Sequence, residues 1–290
     1  MSVLLAIGLG YSAKTLAPRM KRQGWRIIGS ARRREELEAI TASGYEAIPF
    51  YGDAPSPELA AAIAEATHVL ISAPPGTEGD PVLRHHNNDL TRAPGLVWLG
   101  YLSTIGVYGD RGGEWVDETT SPAPTSERSH MRLAAEQAWH NFAEAHRITL
   151  QIFRLAGIYG PGRNALEKLR QGRERRILKP DQVFNRIHVE DIASVVEAGI
   201  HAGHAAPGVF NVTDDEPAPP QDVSAFAAEL LGQAPPPLIP WDEARKSMSP
   251  MAQSFYAENK RIRNARIKQM LGVALQFPTY REGLRDLARL

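Results

Sequence analysis

Short apolar runs alternate with amphipathic stretches through the first half of the chain. Several of these runs are continuous, as in the strands of a parallel sheet that is covered on both faces. Helical spacing fills the stretches between them, most clearly where Leu133, Trp139 and Phe142 share one face. The predicted strands are 3–7, 26–29, 46–50, 68–72, 96–102 and 149–153, and the predicted helices are 14–22, 34–41, 57–66 and 127–146. This alternation predicts an α/β fold with a doubly wound parallel sheet.

The pattern of alternating strands and helices changes after residue 153. A basic segment at 168–179 is followed by a predicted strand at 183–188, a helix at 189–201 and a strand at 209–212. Prolines then lie on both sides of a predicted helix at 223–231, which indicates loops around it. We therefore predict a main domain over 1–160, to which 187–213 returns, and a smaller region formed by 161–186 and 214–290.

Composition and charge argue against several classes of function, namely nucleic-acid binding, metal binding and a location in the membrane. The 290 residues include 33 basic and 33 acidic side chains, a balance unlike that of a protein that tracks nucleic-acid phosphates. The chain has no cysteine, and its paired histidines have no carboxylate beside them that would suggest a metal site. No apolar run approaches the roughly 20 residues of a membrane span. We expect a cytoplasmic protein with a small-molecule partner and with neither nucleic acid nor membrane as a partner; a homodimer stays open.

A glycine-rich turn follows the first predicted strand. It consists of Gly8, Leu9, Gly10, Tyr11, Ser12 and Ala13, a G-x-G-x-x-A pattern. In a dinucleotide site the first glycine makes the turn, the second lets a pyrophosphate approach the backbone, and the third position needs a small residue for helix–strand packing. The N–H groups at the helix N-terminus then face the phosphates. The pattern predicts a bound dinucleotide; the alternative is a corner that needs small residues for packing alone.

The end of the second strand distinguishes NADP from NAD. Enzymes that use NAD usually place Asp or Glu there, where it accepts hydrogen bonds from the ribose hydroxyls. This chain has Ser30, Arg32 and Arg33 instead, and two guanidinium groups suit a 2′-phosphate and the adenine face. We predict NADP as the cofactor and NAD as the less favoured one, with Ala73 and Pro74 completing the site. The alternative is that the arginines only flank a helix start.

Four motifs occur in a fixed order in the rest of the chain. They are STIGVYG at 103–109, RLAGIYGPG at 154–162, RIHVEDIA at 186–193 and FNV at 210–212. In this combination the chain resembles the extended short-chain dehydrogenases/reductases, the NAD-dependent epimerase/dehydratase family. The resemblance implies a Rossmann-type sheet with a smaller C-terminal substrate domain, and substrates that are often nucleotide sugars.

The resemblance also locates a departure from the family pattern. The family carries a Tyr-x-x-x-Lys pair about twenty residues after the strand-end tyrosine, and Arg128 and Arg132 stand at those positions here. A guanidinium cannot exchange a proton near neutral pH, so the chain resembles the atypical members that lack this acid/base pair. The two arginines lie one helical turn apart and could clamp an anion; the alternative is a surface ion pair with Glu127 or Glu136.

Thr104 and Tyr108 are the remaining candidate catalytic residues. Thr104 takes the place of the family's catalytic Ser/Thr and could hydrogen-bond a substrate carbonyl, or its hydroxyl could cap the strand end. Tyr108 could act as a substitute acid, whereas the resemblance implies a packing role for it. We predict an NAD(P)-binding oxidoreductase or epimerase for a small polar substrate, including phosphorylated or nucleotide-linked compounds. The alternative is a non-catalytic NADP(H)-binding regulator or sensor.

Overall fold

Strands and helices alternate over residues 3–104 in the computed structural model, which describes residues 1–290. The strands are β1 (Val3–Ile7), β2 (Arg26–Ala31), β3 (Glu46–Pro49), β4 (His68–Ile71), β5 (Trp98–Thr104), β6 (Trp115–Val116), β7 (Thr149–Leu155), β8 (Gly157–Tyr159), β9 (Arg176–Leu178), β10 (Arg186–His188), β11 (Gly208–Val212), β12 (Leu238–Pro240) and β13 (Arg261–Ile262). The helices are α1 (Tyr11–Arg22), α2 (Arg34–Ala42), α3 (Pro57–Glu65), α4 (Pro81–Arg92), α5 (Glu127–His146), α6 (Ala165–Arg170), α7 (Val189–Ala202), α8 (Pro220–Leu230), α9 (Trp241–Ala244), α10 (Pro250–Tyr256), α11 (Ala265–Leu271) and α12 (Tyr280–Leu287).

Seven of the strands form one central sheet in the order β11-β7-β5-β4-β1-β2-β3. All neighbouring pairs in this sheet are parallel. The strand order reverses between β1 and β4, because the chain first moves outward through β2 and β3 and then crosses back. Ligands of open parallel sheets bind at the carboxyl ends of the strands, at such a reversal. The predicted Rossmann-type doubly wound sheet is confirmed.

Helices cover both faces of the sheet because its strands are apolar on both faces. Leu4 and Ala6 of β1 pack with α1 and α7 on one face, while Leu5 and Ile7 pack with α3, α4 and α5 on the other. A smaller apolar cluster, which includes Leu166, Phe226 and Leu284, holds α6, α8 and α12 together. None of the helices combines the length and apolar character that a membrane crossing requires.

The sequence-based boundaries differ from the observed ones at three places that matter for the site. Helix α1 begins at Tyr11, directly after the second glycine, rather than at residue 14. Strand β5 runs on to Thr104, so that the strand-end motif starts inside the sheet. Helix α4 was not predicted, although Asp80 caps it and Pro81 occupies its first turn, both of which are helix-start signals.

Candidate functional site

The glycine turn lies at the carboxyl end of β1, between the ends of β2 and β4. Gly8 has a φ of 87°, and a Cβ there would stand 3.2 Å from the backbone nitrogen of Ala73. The N–H of Gly8 donates to the hydroxyl of Ser30 at 2.9 Å, and the N–H of Leu9 donates to the Ser30 carbonyl at 2.8 Å. The turn is therefore fixed from both sides, and only glycine fits its first position.

The second glycine has no comparable role in the packing of the turn. Gly10 has a φ of −91°, and a Cβ there would meet only the Gly8 carbonyl, 3.9 Å away. Beyond it, the N–H groups of Tyr11, Ser12 and Ala13 donate to no protein acceptor, and no side chain caps α1. Open space above Gly10 and unused N–H donors at a helix N-terminus fit an anionic group such as a pyrophosphate.

The side chains predicted to bind the cofactor fall into three groups. Ser30 is 2% exposed and its hydroxyl accepts a hydrogen bond from the Gly8 N–H, so it positions the turn from a buried place. Ala73 and Pro74 follow β4 beside the turn, half-buried and exposed respectively. Of the two exposed arginines after β2, Arg33 pairs with Glu36 at 2.6 Å, whereas Arg32 has no carboxylate partner.

Thr104 ends β5 at the same edge of the sheet, two strands away from the glycine turn. Its hydroxyl oxygen accepts a hydrogen bond from the N–H of Gly106 at 3.1 Å and caps the 3₁₀ helix Ile105–Tyr108. The capping alternative is therefore realised. Because the hydroxyl acts as an acceptor in this contact, its own hydrogen is still available to a ligand on the half-exposed side of the residue.

Tyr108 is placed differently from what an acid would require. The side chain is fully buried, its hydroxyl donates to Oδ1 of Asn211 at 2.8 Å, and its ring lies 4.8 Å from the guanidinium carbon of Arg154. Burial raises the pKa of Tyr108 above its usual value. The structure gives this residue the packing role, so the substitute-acid interpretation has no geometric support.

A buried polar network links the strand-end motif to α5. Arg154 on β7 forms a two-pronged ion pair with Glu136, with its Nη2 2.7 Å from Oε2, and the hydroxyl of Ser103 donates to the same carboxylate. The side chains of Arg154 and Glu136 are only 6% and 4% exposed. Ser103 and Arg154 lie in two of the motifs that carry the resemblance, and their contact with Glu136 was not among the sequence-based predictions. An arginine on a buried strand beside a glutamate on a helix is the signal that could have indicated it.

The structure separates the two arginines at the positions of the family's Tyr/Lys pair. Arg128, in the first turn of α5, is exposed and has no ion-pair partner. Arg132 is half-buried, and its Nη1 donates to the Leu102 carbonyl at 2.9 Å and to the Tyr101 hydroxyl at 3.1 Å. Arg132 is thus committed to β5, and neither arginine forms the alternative ion pair with Glu127 or Glu136.

Comparison with known proteins identifies relatives over the whole chain. A conserved protein of unknown function from Silicibacter pomeroyi DSS is 49% identical, with a TM-score of 0.88 and coverage of 100% of this chain and 99% of that one. Protein YeeZ of Escherichia coli strain K12 is 27% identical over 96% of this chain and 97% of its own length. The dTDP-glucose 4,6-dehydratase of Bacillus anthracis str. Ames, solved with NAD, shares the fold at 17% identity, with a TM-score of 0.78 and coverage of 100% and 96%.

The matched family model covers the part of the chain that carries the strand-end motif. Residues 89–213 match the NAD dependent epimerase/dehydratase family. This segment contains Thr104, Arg128, Arg132 and the buried Glu136–Arg154 pair, all on the scaffold of parallel strands described above. Over this segment, which is less than half of the 290 residues, the chain is therefore similar to the NAD dependent epimerase/dehydratase family.

Proposed function

We propose that this protein binds NADP(H) at the glycine turn and acts as an oxidoreductase or epimerase on a small polar substrate, such as a phosphorylated or nucleotide-linked compound. One observation carries the proposal. The N–H groups of Tyr11, Ser12 and Ala13 and the open space above Gly10 lie at the reversal of strand order between β1 and β4. That is the place where a parallel sheet binds a dinucleotide.

The cofactor's pyrophosphate would be held by the N–H groups at the start of α1, with Ala73 and Pro74 bordering it. A bound nicotinamide would supply hydride transfer, while the protein supplies position and charge. On the substrate side, the hydroxyl hydrogen of Thr104 is the available donor at the end of β5. A nucleotide-linked substrate is supported by the match of residues 89–213 to the epimerase/dehydratase family and by the fold shared with the dehydratase of Bacillus anthracis.

The preference for NADP rests on Arg32 more than on Arg33. Both follow β2, where an NAD enzyme usually carries an acid. Because Arg33 already pairs with Glu36, its guanidinium must give up that contact to bind a phosphate. Arg32 has no such partner and is exposed, so a 2′-phosphate meets an unpaired charge there.

Binding measurements with single variants test this assignment. We expect wild-type protein to bind NADPH more tightly than NADH, and Arg32→Ala to weaken NADPH alone by about ten- to a hundredfold, the range of a charge-assisted contact. Arg33→Ala should have a smaller effect. Arg34→Ala is the matched control, because Arg34 is also exposed and pairs with Glu38 on α2. Equal affinities for the two cofactors, or an unchanged preference in Arg32→Ala, would contradict the assignment.

A second candidate function is a non-catalytic NADP(H)-binding regulator. It is favoured by the fact that Tyr108 is buried and Arg132 is bound to β5, so that neither can exchange a proton with a substrate. Calorimetry and absorbance with NADPH or NADP⁺ and UDP-glucose or dTDP-glucose separate the two functions. Ternary binding and turnover support the enzyme, whereas cofactor binding without either supports the regulator.

A further inference from the structure

A tight turn after β8 presses directly against the start of α1. Residues 160–163 form this turn, which two backbone hydrogen bonds of 3.0 Å close, from Gly160 N–H to the Arg163 carbonyl and back from Arg163 N–H to the Gly160 carbonyl. The side-chain amide of Asn164 donates to the same Gly160 carbonyl at 2.9 Å. These hydrogen bonds fix the backbone of the turn, which contains one charged residue, Arg163.

Tyr11 connects this turn to the glycine-rich site. Its hydroxyl donates to the Pro161 carbonyl at 3.0 Å, and the guanidinium carbon of Arg163 lies 5.9 Å from the centre of its ring. A Cβ on Gly160 would stand 2.6 Å from the Tyr11 hydroxyl and 2.8 Å from Val189, so only glycine permits this approach. Arg163 is thus held at the same end of α1 as the unused N–H donors.

The charge of Arg163 is not neutralised by the protein. The residue is exposed and has no carboxylate partner at salt-bridge distance. Glu190 on α7 is a carboxylate close enough for its charge to raise the pKa of Tyr11. It does not neutralise Arg163, because it pairs with Arg19 at 2.6 Å. An unpaired guanidinium beside the positive end of a helix dipole is unfavourable unless an anion lies between them.

A buried, unpartnered ring nitrogen adds an independent observation beneath the turn. His188 is 2% exposed, its Nδ1 accepts the N–H of Glu190 at 3.2 Å, and its Nε2 has no partner. Burial lowers the pKa of His188 to about 4, so the ring is neutral near pH 7 and Nε2 carries the hydrogen. This donor lies 3.5 Å from the position that a Gly160 Cβ would take, next to the Tyr11 hydroxyl.

We propose that Arg163 is a further cofactor-binding residue, which pairs with the pyrophosphate held at the start of α1. The inference rests on the proposed function, because it needs a dinucleotide at the glycine turn. A guanidinium can hold a phosphate through two parallel hydrogen bonds, and the turn places this group beside Tyr11 at the start of α1. Arg163 binds the pyrophosphate, which NAD and NADP share, whereas Arg32 binds the 2′-phosphate, which only NADP carries.

The test is a comparison of affinities, measured by calorimetry with NADH and NADPH. We expect Arg163→Ala to weaken both cofactors by about the same factor, near tenfold, and to leave their ratio unchanged. Arg163→Lys should restore part of the affinity, because it keeps the charge without the planar pair of donors. Arg92→Ala is the matched control, since Arg92 is also exposed and unpaired but ends α4, at the opposite edge of the sheet.

Each outcome decides between the two proposals. Unchanged affinities in an Arg163→Ala protein that melts like wild type would overturn the role of Arg163 while leaving the cofactor site in place. A loss confined to NADPH would also overturn it, because Arg163 would then contact the 2′-phosphate. If the wild-type protein bound neither cofactor, the proposed function itself would fail, and this inference with it. Tyr11→Phe, which removes only the hydrogen bond to Pro161, provides a second variant that keeps the packing of the ring.

Discussion

The two halves of the candidate site are built in opposite ways. At the end of β1 the backbone of the glycine turn supplies the donors, and the N–H groups of Tyr11, Ser12 and Ala13 contact no protein acceptor. At the end of β5 the side chains dominate, and most of them are already bound to the protein. Tyr108 is bound to Asn211, Arg132 to Leu102 and Ser103 to Glu136. One half is open to a ligand, while the other is largely satisfied by internal contacts.

This difference teaches what each half can contribute. Backbone donors at a helix N-terminus keep their direction whatever side chains surround them, so the dinucleotide half is defined by main-chain geometry. In the β5 half, each buried polar group needs a partner to offset the loss of water, and the fold supplies one. A residue can stand at a motif position of the family and still serve stability there, which is what the contacts of Tyr108 and Arg132 show.

The largest expected effect comes from breaking the buried ion pair in the β5 half. Arg154→Ala should lower the free energy of unfolding by about 3–5 kcal/mol, because it leaves the carboxylate of Glu136 buried without its partner. Urea denaturation measures this loss. Replacing both partners, as Arg154→Met with Glu136→Leu, should cost less than either single change, since no buried charge then remains.

An exposed ion pair is the control for that measurement. Arg34→Ala removes a pair with Glu38 in which the two side chains are 88% and 63% exposed, and it should cost less than about 1 kcal/mol. A loss for Arg154→Ala as small as that for Arg34→Ala would show that the network is not needed for stability. The two halves of the site would then not differ as described.

The next largest effect concerns Gly10, where fold and ligand make different demands. Its φ of −91° suits any residue, and a Cβ there would contact only a carbonyl 3.9 Å away. Gly10→Ala should therefore change the free energy of unfolding by less than about 1 kcal/mol, the cost of a poorer helix N-cap. The same methyl group stands where a pyrophosphate must approach, so affinity for NADPH and NADH should fall more than tenfold.

Gly8→Ala is the informative partner of that variant. Gly8 has a φ of 87° and lies against Ala73, so alanine there should lower both stability and affinity. Thermal melting and calorimetry on the two variants separate a glycine required by the fold from one required by the ligand. Full retention of NADPH binding in Gly10→Ala would place the cofactor elsewhere and remove the contrast between the two halves.

The contrast between main-chain and side-chain contacts also explains which features of the site could be predicted from the sequence. The parallel sheet and the glycine turn follow from local signals, because continuous apolar runs and the spacing of Gly8, Gly10 and Ala13 report on nearby backbone. The prediction that Ser30 contacts the cofactor depends only on its place at the end of the second strand. The hydroxyl accepts a hydrogen bond from Gly8, a contact that depends on the pleat of β2 and on a residue 22 positions away in the chain.

Long-range side-chain pairing accounts for the rest of what the sequence left open. The Tyr108–Asn211 hydrogen bond joins residues 103 positions apart, and the Arg132–Tyr101 contact joins residues 31 apart. Neither spacing carries a local signature. Tyr108 has the residue type of an acid and Arg132 stands at a catalytic motif position, but only the folded chain shows that the polar atoms of both already have partners.

The smallest expected effects distinguish the two arginines at the Tyr/Lys positions. Arg132→Ala should cost about 1–2 kcal/mol of unfolding free energy, because the variant loses two charge-assisted contacts to β5 from a half-buried position. Arg128→Ala, at an exposed position with no ion-pair partner, should change stability by no more than about 0.5 kcal/mol. Urea denaturation of the two variants measures this difference in stability.

The same two variants are also compared for ligand affinity, measured by calorimetry with UDP-glucose in the presence of NADPH. If the β5 half binds an anion, the loss of UDP-glucose affinity should appear in Arg128→Ala, because the charge of Arg128 has no protein partner. The loss of affinity should not follow the loss of stability, which is larger in Arg132→Ala. Unchanged affinity in both variants would refute the anion clamp. The double variant Arg128→Tyr with Arg132→Lys should not turn over UDP-glucose, because the new lysine must also replace the contacts that Arg132 makes to Leu102 and Tyr101. Efficient turnover would show that the β5 half lacked only these two side chains.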